Sequence, residues 1–121
     1  MDDVPRPTRL ADGDDLDAFL AEEDVALVEF YTNGCAKCQA MEPVLGNVAR
    51  ATEVSIGMVN PGDDLSLLDR FAIQSVPTLV LFIDGEEAAR LAEGFQGGDD
   101  VVGFLEAHAP EAVGAESSTH D

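Results

Sequence analysis

With 121 residues, 25 acidic and 6 basic side chains and a net charge of −19, the chain can close one hydrophobic core but repels a phosphate backbone. Its 45% hydrophobic content predicts a folded globular domain, and no apolar run approaches the ~20 residues of a membrane-spanning helix. Nucleic-acid and membrane partners are therefore not expected. Residues 1–9 lack the apolar segment of a secretory signal, so a cytoplasmic protein is the expectation. The acids are spread along the chain, and five of the six bases are Arg. Such a surface suits a salt-rich cytoplasm, where a short Debye length screens self-repulsion, and a halophilic protein is one expectation from it. The single lysine is Lys37.

Residues 1–9, with two prolines and alternating charge, read as an extended arm with a short edge strand near Thr8 to Leu10. The domain proper is expected over 10–109. Asp12 to Asp15 offer N-caps, and Leu16, Phe19 and Leu20 recur at helical spacing, predicting a helix over 14–23. Val25 to Tyr31 is apolar on both faces, as in a buried parallel strand. The next helix, 36–51, contains Pro43, which cannot donate to the Gln39 carbonyl and predicts a kink.

Val54 to Val59 is a second apolar strand, and Asn60-Pro61-Gly62 is turn chemistry. Asp63 then caps a predicted helix with Leu65, Leu68 and Ala72 on one side. Thr78 to Ile83 is the strongest strand signal, and Asp84-Gly85 the strongest hairpin signal, with Glu86 to Ala92 returning. Gly94 and Gly97-Gly98 break the chain before a last helix with Val101, Phe104, Leu105 and His108 in one stripe. Residues 110–121 read as a disordered acidic tail. The order predicts a three-layer α/β/α domain, with a mixed sheet of parallel strands plus one antiparallel hairpin.

The chemistry centres on Cys35 and Cys38, the only cysteines, placed where the strand ending at Tyr31 turns into a helix. With two distant histidines, His108 and His120, they cannot complete a four-ligand zinc site within one chain. A static disulfide is not expected in a cytoplasmic protein, and redox chemistry is the reading that remains. Disulfide exchange needs a thiolate. Unpaired N–H groups and the dipole at a helix N-terminus favour that anion, and Lys37 adds positive charge in the same turn. Cys35, first and more exposed, is the expected nucleophile, and Cys38 the expected resolving cysteine. Glu29 interrupts an otherwise apolar strand, where an acid is rarely buried without a role.

Leu27-Val28-Glu29-Phe30-Tyr31, Cys35-Ala36-Lys37-Cys38, Met41-Glu42-Pro43, Val76-Pro77-Thr78 and Leu81 to Glu86 together resemble the thioredoxin family over roughly 10–108. The resemblance implies a thioredoxin fold and a thiol–disulfide oxidoreductase that reduces protein disulfides, with Cys35–Cys38 as its redox-active disulfide. No cofactor or metal is implied, because the electrons reside on the sulfurs. It also implies a cis peptide at Val76-Pro77 and a proton-accepting role for Glu29, where the family usually has aspartate. A substrate groove is implied around Gly34, Cys35, Val76, Pro77 and Gly94. The implied partners are disulfide-containing proteins and a separate reductase or small thiol, and a monomer is expected.

Three departures stand out. Gly34 replaces the family's tryptophan, Ala36-Lys37 replaces Gly-Pro, and the family's lysine near the buried carboxylate falls at or beside Met58. A partner-specific carrier, a more oxidising isomerase-like protein and a redox-inactive binding module therefore stay open as alternatives.

Overall fold

A computed structural model describes residues 6–113. In chain order its elements are β1 (Thr8–Leu10), α1 (Gly13–Glu22), β2 (Val25–Phe30), α2 (Ala36–Ala51) and β3 (Ser55–Val59). They continue through α3 (Ser66–Arg70), β4 (Thr78–Ile83), β5 (Glu86–Leu91) and α4 (Gly98–His108), with a 3-10 turn at Pro61–Asp63. The sheet order is β1-β3-β2-β4-β5, so β2 is central and its apolar faces are both covered. Its alternate residues enter two cores. Leu27 joins Met41, Leu45, Ile56, Leu81, Val101 and Leu105 beneath α2 and α4. Ala26, Val28 and Phe30 join Leu16, Leu20, Leu67, Val80 and Phe82 beneath α1 and α3. The three-layer architecture follows from that period of two.

Local chemistry fixes the boundaries. Asp12 caps α1 by accepting the Asp15 N–H at 2.9 Å. Helix α2 stays helical on both sides of Pro43. The Asp84-Gly85 turn has φ of 55° and 83°, the positive pair of a tight hairpin turn, and joins β4 to β5. A bulge beside Leu81 and Phe82 adds one residue to β5.

The structure corrects several expectations. The hairpin is not the only antiparallel pair, because β4 also runs antiparallel to β2, from Val25↔Ile83 to Phe30↔Thr78. Helix α3 has only five residues and rises ~7.5 Å, less than the length of a strand. The chain re-enters the sheet beside β2, at the same end of the strands where β3 finished. The expected apolar side of α3 is also wrong. Leu65 and Leu68 are 67% and 37% exposed, while Leu67 is fully buried. Ala72 ends the turn at φ 53°, with Ile73 N–H donating to the Leu68 carbonyl and Ala72 N–H to the Asp69 carbonyl. His108 is exposed, and its place in the α4 stripe passes to the buried Ala109.

The domain also runs beyond 109. Residues 110–113 make a further helical turn, Val113 is 4% exposed in the α2–α4 core, and Glu53 N–H donates to the Ala112 carbonyl at 2.7 Å. The expected disordered tail from 114 onward lies outside the described residues.

Candidate active site

The antiparallel entry of β4 assembles the site. Phe30 at the end of β2 pairs with Thr78 at the start of β4, so the loop carrying Cys35 and the Val76-Pro77 peptide emerge at the same end of the strands. That peptide is cis, and the Thr78 hydroxyl donates to the Ser75 carbonyl at 2.6 Å, fastening the turn before it. Pro77 is buried and Val76 half-buried.

Cys35 is the N-cap of α2, and its Sγ accepts the Cys38 N–H at 3.1 Å. The sulfur therefore sits against the orphan amides and positive dipole end of the helix, where a thiolate is stabilised. Cys35 and Cys38 are disulfide-bonded, with their Cα atoms 5.2 Å apart. Cys35 is half-exposed and Cys38 only 2% exposed, so the first cysteine is open to solvent and the second faces the core. Gly34 has φ 78°, and a β-carbon there would meet nothing within 4 Å. The missing aromatic at this position leaves open space beside the sulfurs.

The loop after β5 forms the opposite wall. Gly94 has φ 86°, and the Lys37 Nζ lies 3.7 Å from where its β-carbon would stand. Gln96 N–H donates to the Met41 Sδ at 3.3 Å, tying this loop to α2. On the other flank an apolar depression of about 260 Å³ is lined by Thr32, Leu68, Ile73 and Val76 among others. Phe95, beside Gly94, is 47% exposed.

Glu29 is fully buried on β2 between Met58 on β3 and Leu79 on β4. Neither carboxylate oxygen has a hydrogen-bond partner among the described residues. Burial pushes its pKa up to about 8, the negative charge of Glu42 adds to the rise, and Arg9 opposes it. Sequence reasoning missed this second layer. Arg9 donates to the Glu42 Oε2 at 3.1 Å and to the Tyr31 hydroxyl at 3.3 Å, with its guanidinium 5.8 Å from the Tyr31 ring centre. The segments bearing these residues are remote in sequence, and only the β1–β3 register reveals the arrangement.

A family model described as Thioredoxin matches residues 8–107. The chain belongs to the thioredoxin family. A thioredoxin from Chlamydia pneumoniae is 29% identical over 102 residues, covering 84% of this chain and 98% of that protein. Protein disulfide isomerase-like 1-3 of Arabidopsis thaliana is 31% identical over 104 residues, which span 83% of this chain but 17% of that protein. Among solved structures, a mutant thioredoxin from Halobacterium salinarum NRC-1 superposes with a TM-score of 0.80 at 30% identity. That alignment covers 85% of this chain and 90% of the other. Family membership and the bonded Cys35–Cys38 pair make the protein a thiol–disulfide oxidoreductase, acting as thioredoxins do on disulfide substrates and with a reductase. They favour exchange chemistry over a redox-inactive binding module. Among the described residues no helix is long and apolar enough to cross a membrane.

Proposed function

We propose that this thioredoxin-family protein reduces protein disulfides in the cytoplasm as a monomer, with Cys35 as nucleophile and Cys38 as resolving cysteine. The observation that carries the assignment is the Cys35 Sγ seated on the α2 N-terminus while Cys38 is buried behind it. The Cys35 thiolate attacks a substrate sulfur, forming a mixed disulfide and expelling the first substrate thiolate, which takes up a proton. The ionised fraction of Glu29, which grows as the pH approaches its pKa of about 8, accepts the Cys38 proton. The Cys38 thiolate then attacks the Cys35 sulfur and releases the second substrate thiol. Two electrons pass to the substrate, and a separate reductase or small thiol restores the dithiol.

The substrate is proposed to lie across Gly34, Val76, Pro77 and Gly94, with its backbone paired to the segment before Pro77 in the manner of an added strand. The exposed Leu68 and Phe95 on either side of this groove support that placement. Lys37, over Gly94, is proposed to add positive charge to the thiolate's surroundings.

Insulin offered with excess dithiothreitol tests the assignment. The protein accelerates insulin reduction severalfold over dithiothreitol alone; an unchanged rate rejects the reading. The acidity supports a second proposal, that the protein works in a salt-rich cytoplasm, as does its likeness to the Halobacterium salinarum thioredoxin. Its melting temperature then rises from low to molar salt, because screening relieves the repulsion of a −19 chain. A flat or falling melting temperature contradicts this.

A further inference from the structure

We propose that Arg9 and Glu42, held together against Tyr31, are positioning residues for Glu29 that set the proton affinity of its buried carboxyl from opposite sides. The sheet register places the cation. Arg9 on β1 sits opposite Met58 on β3, which sits opposite Glu29 on β2, so the three share one row and one face. Two strand spacings separate Arg9 from Glu29 in that row, ~10 Å between backbones. A long guanidinium reaches back across part of that gap. Tyr31, two residues after Glu29, points from the same face. Glu42 lies four residues after Cys38 on α2, one turn along the helix side that packs over this row.

Arg9 locks the arrangement through its bonds to Glu42 at 3.1 Å and Tyr31 at 3.3 Å. With no donor among the described residues reaching the Glu29 oxygens, burial and nearby charge are what govern that carboxyl. From the elements around it, the ionisable groups among the described residues are Arg9 on β1, Tyr31 just after β2 and Glu42 on α2, with Cys38 joining them only once the disulfide is reduced. Strands β3 and β4 present only Met58 and Leu79. The direction of each influence agrees: Glu42 raises the Glu29 pKa and Arg9 lowers it. The pair also lies at the surface, with side chains 59% and 41% exposed, so the buried carboxyl is coupled to groups that sense solvent and salt.

The consequence for catalysis rests on Glu29 acting as the proton acceptor, and the experiment separates the two claims. The carboxyl of Glu29 is titrated by carbon NMR in the oxidised wild type, Arg9→Gln and Glu42→Gln proteins, with Glu29→Gln to assign the signal. Removing Arg9 also frees Glu42 from its ion pair, so the midpoint moves up. Removing Glu42 leaves the Arg9 cation alone, so the midpoint moves down. The Arg9→Gln/Glu42→Gln double variant returns towards wild type. Loosened packing would admit water and lower the midpoint in both single variants, so shifts of the same sign, or none, overturn the proposal. The pH profile of insulin reduction follows these shifts. Opposite NMR shifts with an unmoved profile uphold the charge coupling and reject Glu29 as the proton acceptor.

Discussion

The Glu29→Gln protein is more stable to urea than the wild type at pH 9, by about 3–5 kcal/mol, and the advantage vanishes below about pH 4.5. The sign follows from proton counting. Below the ordinary carboxylate value of 4.5, Glu29 is protonated in both folded and unfolded chains. Between 4.5 and about 8 the unfolded chain releases the proton while the folded chain keeps it. The unfolded state then binds fewer protons, so stability falls as pH rises, at about 1.4 kcal/mol per unit. Above about 8 the folded protein holds an ionised carboxylate with no hydrogen-bond partner, and the loss is complete. Gln fills nearly the same space and does not titrate, so it escapes this loss. Urea unfolding at pH 4 and pH 9, at one salt concentration, gives the comparison. An equal difference at both values would contradict the buried, raised carboxyl.

Cys35→Ser reduces insulin no faster than dithiothreitol alone, while Cys38→Ser attacks substrate but does not complete turnover. A serine hydroxyl is not ionised near neutral pH, so the helix N-terminus at position 35 then holds no anionic nucleophile. In Cys38→Ser that nucleophile is intact, and the mixed disulfide it forms has no internal thiol to resolve it. The two variants thus fail at different steps, although the cysteines are only 5.2 Å apart between Cα atoms. Progress curves with a disulfide substrate separate them: no first event for Cys35→Ser, and one equivalent consumed for Cys38→Ser. Loss at the same step in both would contradict the division of roles.

Much of this site was legible in the sequence because its parts are set by local chemistry. Two cysteines at a strand-to-helix turn, and an acid inside an apolar strand, are visible without knowing how the strands are arranged. The Asp84-Gly85 turn and the strand before it were equally readable, since the turn needs the positive φ values that Gly tolerates. What was not legible depends on tertiary partners. The direction of β4 depends on the path of the whole connection from Val59 to Thr78, and a run of leucines there did not reveal that only five residues form α3. In the same segment spacing favoured Leu65 and Leu68, whereas the fold buries Leu67. Val113 was assigned to a polar tail because its burial depends on the surface that α2 and α4 offer. The Arg9–Glu42 pair joins positions 33 residues apart, and no local pattern marks it.

In the proposed mechanism electrons pass through a covalent bond between Cys35 and the substrate, and that bond can be trapped. Reduced Cys38→Ser protein is mixed with a disulfide-containing protein, quenched with acid and analysed by intact and peptide mass spectrometry. The predicted result is a one-to-one adduct linked through Cys35 and dispersed by dithiothreitol. No adduct with Cys38→Ser, or equal trapping by Cys35→Ser through Cys38, would contradict it.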